Sequence, residues 1–298
     1  MLEHLNKQIA YPPRVVVMGA KGFVGNAIVE NLQQHQCKVL ALSRDEINLL
    51  EKDAEQKLLD SLTAEDVVVM VSAIAPCKNN NSLIDNLNMV KILCNIISKV
   101  SLRQVIYISS DAVYADTSDI ISEATAASPT TLHGMMHLSR ELMLKNACQD
   151  TPLTILRPSL LYGINDPHNG YGPNRFSRLI RDNKEVTLFG KGEEKRDHVF
   201  IDDLSEIVRL ILLHKSQGLL NVATGNAYSF KEITEKLSSI MKQKIIIKET
   251  ARQNPIIHRF FDVTACYKAF PSFQYACVET GLQKSVVEAI NTLDAVGA

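Results

Sequence analysis

The tightest constraint on this chain sits near its N-terminus, where Val15-Val16-Val17-Met18 runs directly into Gly19-Ala20-Lys21-Gly22-Phe23-Val24-Gly25. A short apolar run bounded by glycine reads as a buried strand, and the amphipathic stretch from Phe23 to Leu32 reads as a helix. Strand, tight turn and helix start, in that order, leave backbone N–H groups unpaired at the positive end of a helix, where a pyrophosphate can sit. Gly19 would let the chain turn sharply, Gly22 would let phosphates approach the backbone, and Gly25 would let the helix pack closely on the strand. The spacing is G-x-x-G-x-x-G rather than G-x-G-x-x-G. A plain strand–loop–helix corner is the competing reading, but the position between a valine run and an amphipathic stretch favours a dinucleotide. Gly19, Gly22, Phe23, Val24 and Gly25 are therefore candidate cofactor contacts.

The same alternation continues downstream. Apolar runs at Val15–Met18, Lys38–Leu42, Val67–Val71, Val105–Ser109 and Thr154–Leu156 are separated by helical spacing at Phe23–Gln34, Ser82–Val100 and Leu132–Ala147. Apolar strands alternating with helices predict an α/β fold with a doubly wound, Rossmann-type parallel sheet and helices on both faces. Ligands of such sheets bind beyond the carboxyl ends of the strands, which adds Ala73, just past the third run, to the cofactor-facing set. The second half is less regular. Asn165–Asn174, rich in glycine, proline and polar residues, predicts a mobile loop able to cover a substrate. Asp202–His214 and Ser229–Met241 read as helices and Lys244–Lys248 as a short strand. The expected division is residues 11–162 plus 196–224 for the dinucleotide, with a smaller C-terminal substrate lobe from 163–195 plus 225–298.

Composition excludes several classes of function. A net charge of −1 over 298 residues gives no case for nucleic acid. No apolar run approaches the roughly 20 residues of a membrane span, and the N-terminus lacks the apolar core of a signal peptide, so a cytoplasmic location is expected. The six cysteines are scattered without a C-x-x-C pair, which argues against structural zinc and a disulfide framework.

The second apolar run ends in Ser43-Arg44, where dinucleotide folds that prefer NAD place a carboxylate for the ribose hydroxyls. An arginine there can pair with the extra phosphate of NADP and a serine can assist. NADP is the expected cofactor and NAD the alternative, a solvated surface arginine being the plain reading.

Several separated segments resemble the extended short-chain dehydrogenase/reductase family, whose members mostly modify nucleotide-activated sugars. GAKGFVG matches the family's glycine motif, and Ser109-Ser110-Asp111-Ala112-Val113-Tyr114 its S-[ST]-x-x-V-[YF] segment. Leu156-Arg157-Pro158 with Leu161-Tyr162-Gly163, Arg196-Asp197-His198-Val199-Phe200-Ile201-Asp202-Asp203 and Asn221-Val222-Ala223-Thr224-Gly225 match later motifs in the right order. Within the family the pattern is similar to reductases of 4-keto-6-deoxy sugar nucleotides. The resemblance implies a homodimer through a bundle that includes the helices over Ser82–Val100 and Leu132–Ala147.

The likeness breaks at the family's Tyr-x-x-x-Lys pair, in which tyrosine handles the proton while lysine lowers its pKa and holds the nicotinamide ribose. Here Ser128-Pro129 precedes the pair and Gly134 and Glu141 follow, but the two positions are His133 and His137. Four apart on a helix, they share a face. An imidazole titrates near pH 6.5, so His133 could exchange protons at neutral pH without a neighbouring cation. His137 could bond the ribose hydroxyls but would supply no permanent charge. The resemblance gives Ser110 the substrate oxygen at the reacting carbon and Arg196 the nucleotide diphosphate. Asn174 and Arg175, at a helix start, could hold a phosphate. The expected function is NAD(P)-dependent oxidoreduction or epimerisation of a nucleotide-activated sugar, with Ser110, His133 and His137 catalytic and no metal. The alternative is a catalytically inactive dinucleotide- or nucleotide-sugar-binding regulatory protein. A metal held by His133, His137 and Glu141, or two histidines that merely pack, are lesser rivals; Tyr114 and Tyr162 read as packed side chains.

Overall fold

The computed structural model describes residues 2–117, 119–164, 166, 170–253 and 255–296. Its strands are β1 (Glu3–His4), β2 (Arg14–Met18), β3 (Val39–Leu42), β4 (Asp66–Met70), β5 (Gln104–Ile108), β6 (Ile120–Ile121) and β7 (Leu153–Pro158), followed by β8 (Leu160–Tyr162), β9 (Val186–Phe189), β10 (Lys195–Phe200), β11 (Ser216–Val222), β12 (Ala227–Ser229), β13 (Ile247–Thr250) and β14 (Phe260–Phe261). The helices are α1 (Phe23–Gln34), α2 (Ala54–Ser61), α3 (Asn80–Ile97), α4 (Leu132–Ala147), α5 (Pro173–Arg181), α6 (Ile201–His214), α7 (Phe230–Met241), α8 (Thr264–Ala269) and α9 (Val278–Val296).

Seven strands form the central sheet in the order β1-β11-β7-β5-β4-β2-β3. Every pairing in it is parallel except β1 on β11. This is the expected doubly wound architecture. After β3 the chain crosses back over β2 to β4, so the topological switch lies between β2 and β4, where such sheets open a crevice.

Alternation along β2 explains why the sheet is covered on both sides. Val15 and Val17 join one apolar cluster with Ile28, Leu32, Leu204 and Ile207 from α1 and α6. Val16 and Met18 join the other with Leu58, Val90 and Leu93 from α2 and α3. Burying each such side chain contributes roughly 1.5–3 kcal/mol, and a strand buried on both faces reads as an unbroken apolar run. The first cluster continues past the sheet into Phe176, Phe230, Leu237 and Val278 of α5, α7 and α9.

The second half departs from expectation in detail. The short strand expected at Lys244–Lys248 lies at Ile247–Thr250, because its partner β9 sets the register at Ile247 opposite Val186. Strands β8, β10 and β12 form a small separate sheet that local pattern did not announce. Their pairing is long-range and their runs of three to six residues are too short for a clear period.

Candidate active site

A cavity of about 550 Å³ opens above the carboxyl ends of β2, β4 and β5. Gly19, Gly22, Phe23 and Val24 line one end with Ser43, Arg44 and Ala73; Ser110, His133 and His137 line it further along, with Asn174 beyond. Gly25, Arg175 and Arg196 do not reach it.

Backbone geometry builds the glycine end. Gly19 turns with φ at +91°, a conformation open to glycine, and donates its N–H to the Leu42 carbonyl at 2.8 Å. Gly25 packs against that turn so closely that a Cβ on it would fall 2.1 Å from the Gly19 oxygen. Helix α1 therefore starts beneath the cavity with no side-chain cap and no acidic residue in its first turn. Among the described residues the N–H groups of Phe23 and Val24 find no acceptor. Unpaired amides at a helix N-terminus facing a cavity suit a pyrophosphate, so the residues present fit a dinucleotide. At the rim, the Ser43 hydroxyl donates to Glu46 and Lys21 pairs with Asp45 at 2.5 Å, while Arg44 is exposed.

Side chains build the other end. Ser110 caps a short turn over Asp111–Val113, accepting from the Ala112 N–H at 3.1 Å. Gly134 lets α4 press onto that turn, since a Cβ there would sit 2.0 Å from the Ala112 oxygen, and this brings His133 to the same wall. Helix α4 is fixed further along by a buried fork. Arg157 donates to Glu141 at 2.6 and 2.9 Å, and Ser109 donates to the same carboxylate at 2.6 Å. Charge-assisted bidentate pairs of this kind hold geometry strongly.

The two histidines meet edge to face with ring centres 4.8 Å apart. His133 accepts the Cys77 backbone N–H at Nδ1 over 3.4 Å, so the neutral ring carries its proton on Nε2. His137 is buried, with Nδ1 2.8 Å from the Tyr107 hydroxyl. Burial first, then the neighbouring His133 and Arg140, hold its pKa well below the ordinary histidine value, so this ring is neutral at physiological pH. Burial pushes the Tyr107 phenol up to about 12, and it stays protonated.

Other candidates are engaged elsewhere. Arg196 pairs with Glu194 and donates to the Ile257 carbonyl. Asn174 accepts the Gly163 N–H at 3.0 Å and donates to Asp166 at 2.8 Å. The Tyr114 hydroxyl lies between Asn221 and Arg157, and that of Tyr162 reaches the Val278 carbonyl. Glu141 is spent on Arg157, and no group of three or more metal-ligating side chains gathers among the described residues. Of the expected covering loop, Asn165 and residues 167–169 lie outside the described residues, whereas Asp166 and Gly170–Asn174 line the cavity.

Sequence reasoning missed Tyr107 and Arg140. Tyr107 sat inside an apolar run and read as core. Arg140 stands three residues after His137, a spacing that shares a helical face and could have drawn attention.

The model of the NAD dependent epimerase/dehydratase family matches residues 15–223. The chain belongs to that family. GDP-6-deoxy-D-talose 4-dehydrogenase of Aggregatibacter actinomycetemcomitans is 24% identical over 260 residues, covering 84% of this chain and 86% of that one. The UDP-glucose 4-epimerase of Thermus thermophilus, solved with NAD, superposes with a TM-score of 0.79 at 18% identity, covering 92% of this chain and 98% of that one. A GDP-L-fucose synthetase of Naegleria fowleri bound to NADP superposes at 0.82 with 14% identity, covering 98% and 99%. These structural likenesses bear out the fold. Relatives include nucleotide-sugar epimerases, dehydratases and reductases, and solved neighbours hold NAD or NADP. No helix among the described residues is long and apolar enough to cross a membrane.

Proposed function

We propose that the protein binds NADP, with NAD as the alternative, together with a nucleotide-activated sugar, and oxidises, reduces or epimerises a sugar carbon. The observation that carries this reading is continuity. One cavity runs from the unpaired amides of α1 to Ser110, His133 and His137. The dinucleotide lies over residues 11–162 and 196–224, and the sugar lies toward 163–195 and 225–298. Phe23 and Val24 bind the pyrophosphate through their amides, with Gly19 and Gly22 clearing space and Gly25 seating the helix. The nicotinamide, when bound, accepts or gives the hydride.

The rest falls to the chain. Ser110 orients the substrate oxygen through its hydroxyl. His133 exchanges a proton with that oxygen at Nε2: the imidazolium gives its Nε2 proton when the carbonyl is reduced, and the ring protonated on Nδ1 takes one when the hydroxyl is oxidised, the Cys77 contact being released in both. His137, neutral and tied to Tyr107, fixes the angle of His133 and can bond the ribose hydroxyls through its second nitrogen. Arg44, exposed at the rim, supports NADP. Asn174 holds the sugar end of the cavity, and Arg175 and Arg196 serve the substrate only if the diphosphate reaches beyond it. The names of the relatives support the substrate class: one acts on a GDP-6-deoxy sugar and another on UDP-glucose. A homodimer completes the proposal, supported by exposed Ile84 on α3 and Met135 and Leu142 on α4.

Calorimetric titration with NAD, NADP and a panel of UDP-, GDP- and dTDP-sugars, followed by turnover on whichever binds, tests this reading. Binding and turnover are expected. Binding without turnover assigns a regulatory protein instead, and no dinucleotide binding overturns the proposal.

A further inference from the structure

Arg140 lies wholly inside the molecule, at 0% exposure. One Nη donates to the Ser72 carbonyl at 2.7 Å and the other approaches the Met136 sulfur at 3.8 Å. The guanidinium carbon stands 5.1 Å from the centre of the Tyr107 ring, and Nε is buried with no partner. Among the described residues no carboxylate lies within ion-pair distance of it. Its sequence neighbour Glu141 is taken by Arg157 in a bidentate pair. The buried cluster between α4 and β7 thus holds one carboxylate, Glu141, against two guanidiniums, Arg140 and Arg157.

A buried charge without a counter-charge is costly, and proteins keep one where something else neutralises it. The place of Arg140 says what that is. Ser72, which it grips, is a wall of the cavity and the direct neighbour of the glycine turn: a Cβ on Gly19 would lie 2.8 Å from the Ser72 nitrogen. A carbonyl in that wall would turn the negative end of its dipole toward an anionic ligand. Bonded to Arg140, the Ser72 carbonyl is instead drawn inward and its charge offset.

We propose that Arg140 is the buried counter-charge for the dinucleotide's pyrophosphate, a positioning residue that acts through the Ser72 backbone without touching the ligand. This rests on the proposed function above, which supplies the dinucleotide. It also explains how an α4 face carrying neutral His137 keeps a fixed positive charge beneath the cleft. Charge held there acts through protein rather than water and is screened little by salt. Because the pyrophosphate is common to NAD and NADP, both should feel it equally.

The test is calorimetric binding of NAD and NADP to the full chain and to R140M and R140Q, with thermal melts of each. R140M matches the length without polarity; R140Q keeps a donor for the Ser72 carbonyl without the charge. Both variants are expected to bind each dinucleotide about tenfold more weakly, with melting no lower than wild type. If R140M does not fold, R140Q alone reads the same loss. Wild-type affinity in R140Q overturns the assignment, as does a loss confined to NADP or a loss that tracks a large fall in melting temperature. Failure of the wild-type chain to bind either dinucleotide overturns the functional reading itself, and this inference with it.

Discussion

At the glycine end of the cavity the walls are backbone; at the histidine end they are side chains. The first end owes its shape to the absence of Cβ atoms and to amides left over at the start of α1. The buried charge behind it, Arg140, is contributed by α4 through the Ser72 carbonyl. The second is assembled from a helix, two strand ends and a turn, and its properties depend on burial: a neutral His137, an undissociated Tyr107 and an Arg157–Glu141 fork. A backbone site tolerates no added bulk but little depends on its side-chain identities. A side-chain site can change its chemistry, as the two histidines do here, while the frame around it stays in place.

The largest expected effect would break the backbone end. In G25V the new Cβ would fall on the Gly19 carbonyl, and neither partner is a flexible side chain that could give way. The turn must open, and we expect dinucleotide affinity to fall beyond the reach of calorimetry, with a destabilisation of about 3 kcal/mol or more. Retained binding would mean that the pyrophosphate does not sit on this turn.

Next comes H133F, which acts at the side-chain end alone. It keeps a ring of similar size against His137 and removes the proton. Turnover should fall by about 10²–10⁴-fold while dinucleotide affinity stays within twofold of wild type. Unchanged turnover in a steady-state assay would remove His133 from the chemistry. A smaller change is expected for R44A, about tenfold weaker NADP binding with NAD unaffected, read by the same calorimetry. Equal effects on both cofactors would return Arg44 to the solvated surface.

How far each end could be read from sequence follows from the same contrast. The turn at Gly19–Gly25 is local, so spacing alone encoded it, and β2 to β5 announced themselves as apolar runs because both faces are covered. His133 and His137 were found as departures from a family motif, and Ser110 by its match to another. What stayed hidden was tertiary. The bond from His137 to Tyr107 spans 30 residues and that from Arg140 to Ser72 spans 68, and no local pattern joins either pair. Arg196 shows the converse error: a motif suggested a ligand, whereas folding supplied Glu194 as a partner. In the C-terminal half, β8 to β12 depended on pairings that a single sequence does not display.

The smallest effect is expected in acid–base stability, where buried His137 and buried Asp203 should pull in opposite directions. Buried His137 is neutral when folded but charges near pH 6.5 when unfolded, so its burial costs stability as pH falls below that value. Asp203, on α6, has only the Ala276 N–H as a hydrogen-bond donor among the described residues, and burial pushes its carboxyl up to about 7. Unfolded, it releases its proton near pH 4; folded, it holds that proton until about pH 7. Between those values the unfolded chain binds fewer protons, so this group makes stability decline as pH rises toward 7 and leaves it level above. D203N keeps an acceptor for Ala276 and removes the titration. It should raise stability at pH 8 by about 1–3 kcal/mol, at roughly 2–4 °C per kcal/mol in melting temperature, and change it little at pH 4. The pH profile of the variant between 4 and 7 should then decline less steeply, with Asp197, whose carboxyl burial pushes up to about 6, still opposing His137. An unaltered profile in thermal melts would show that Asp203 is ionised in the fold and that the opposition between the two groups does not exist.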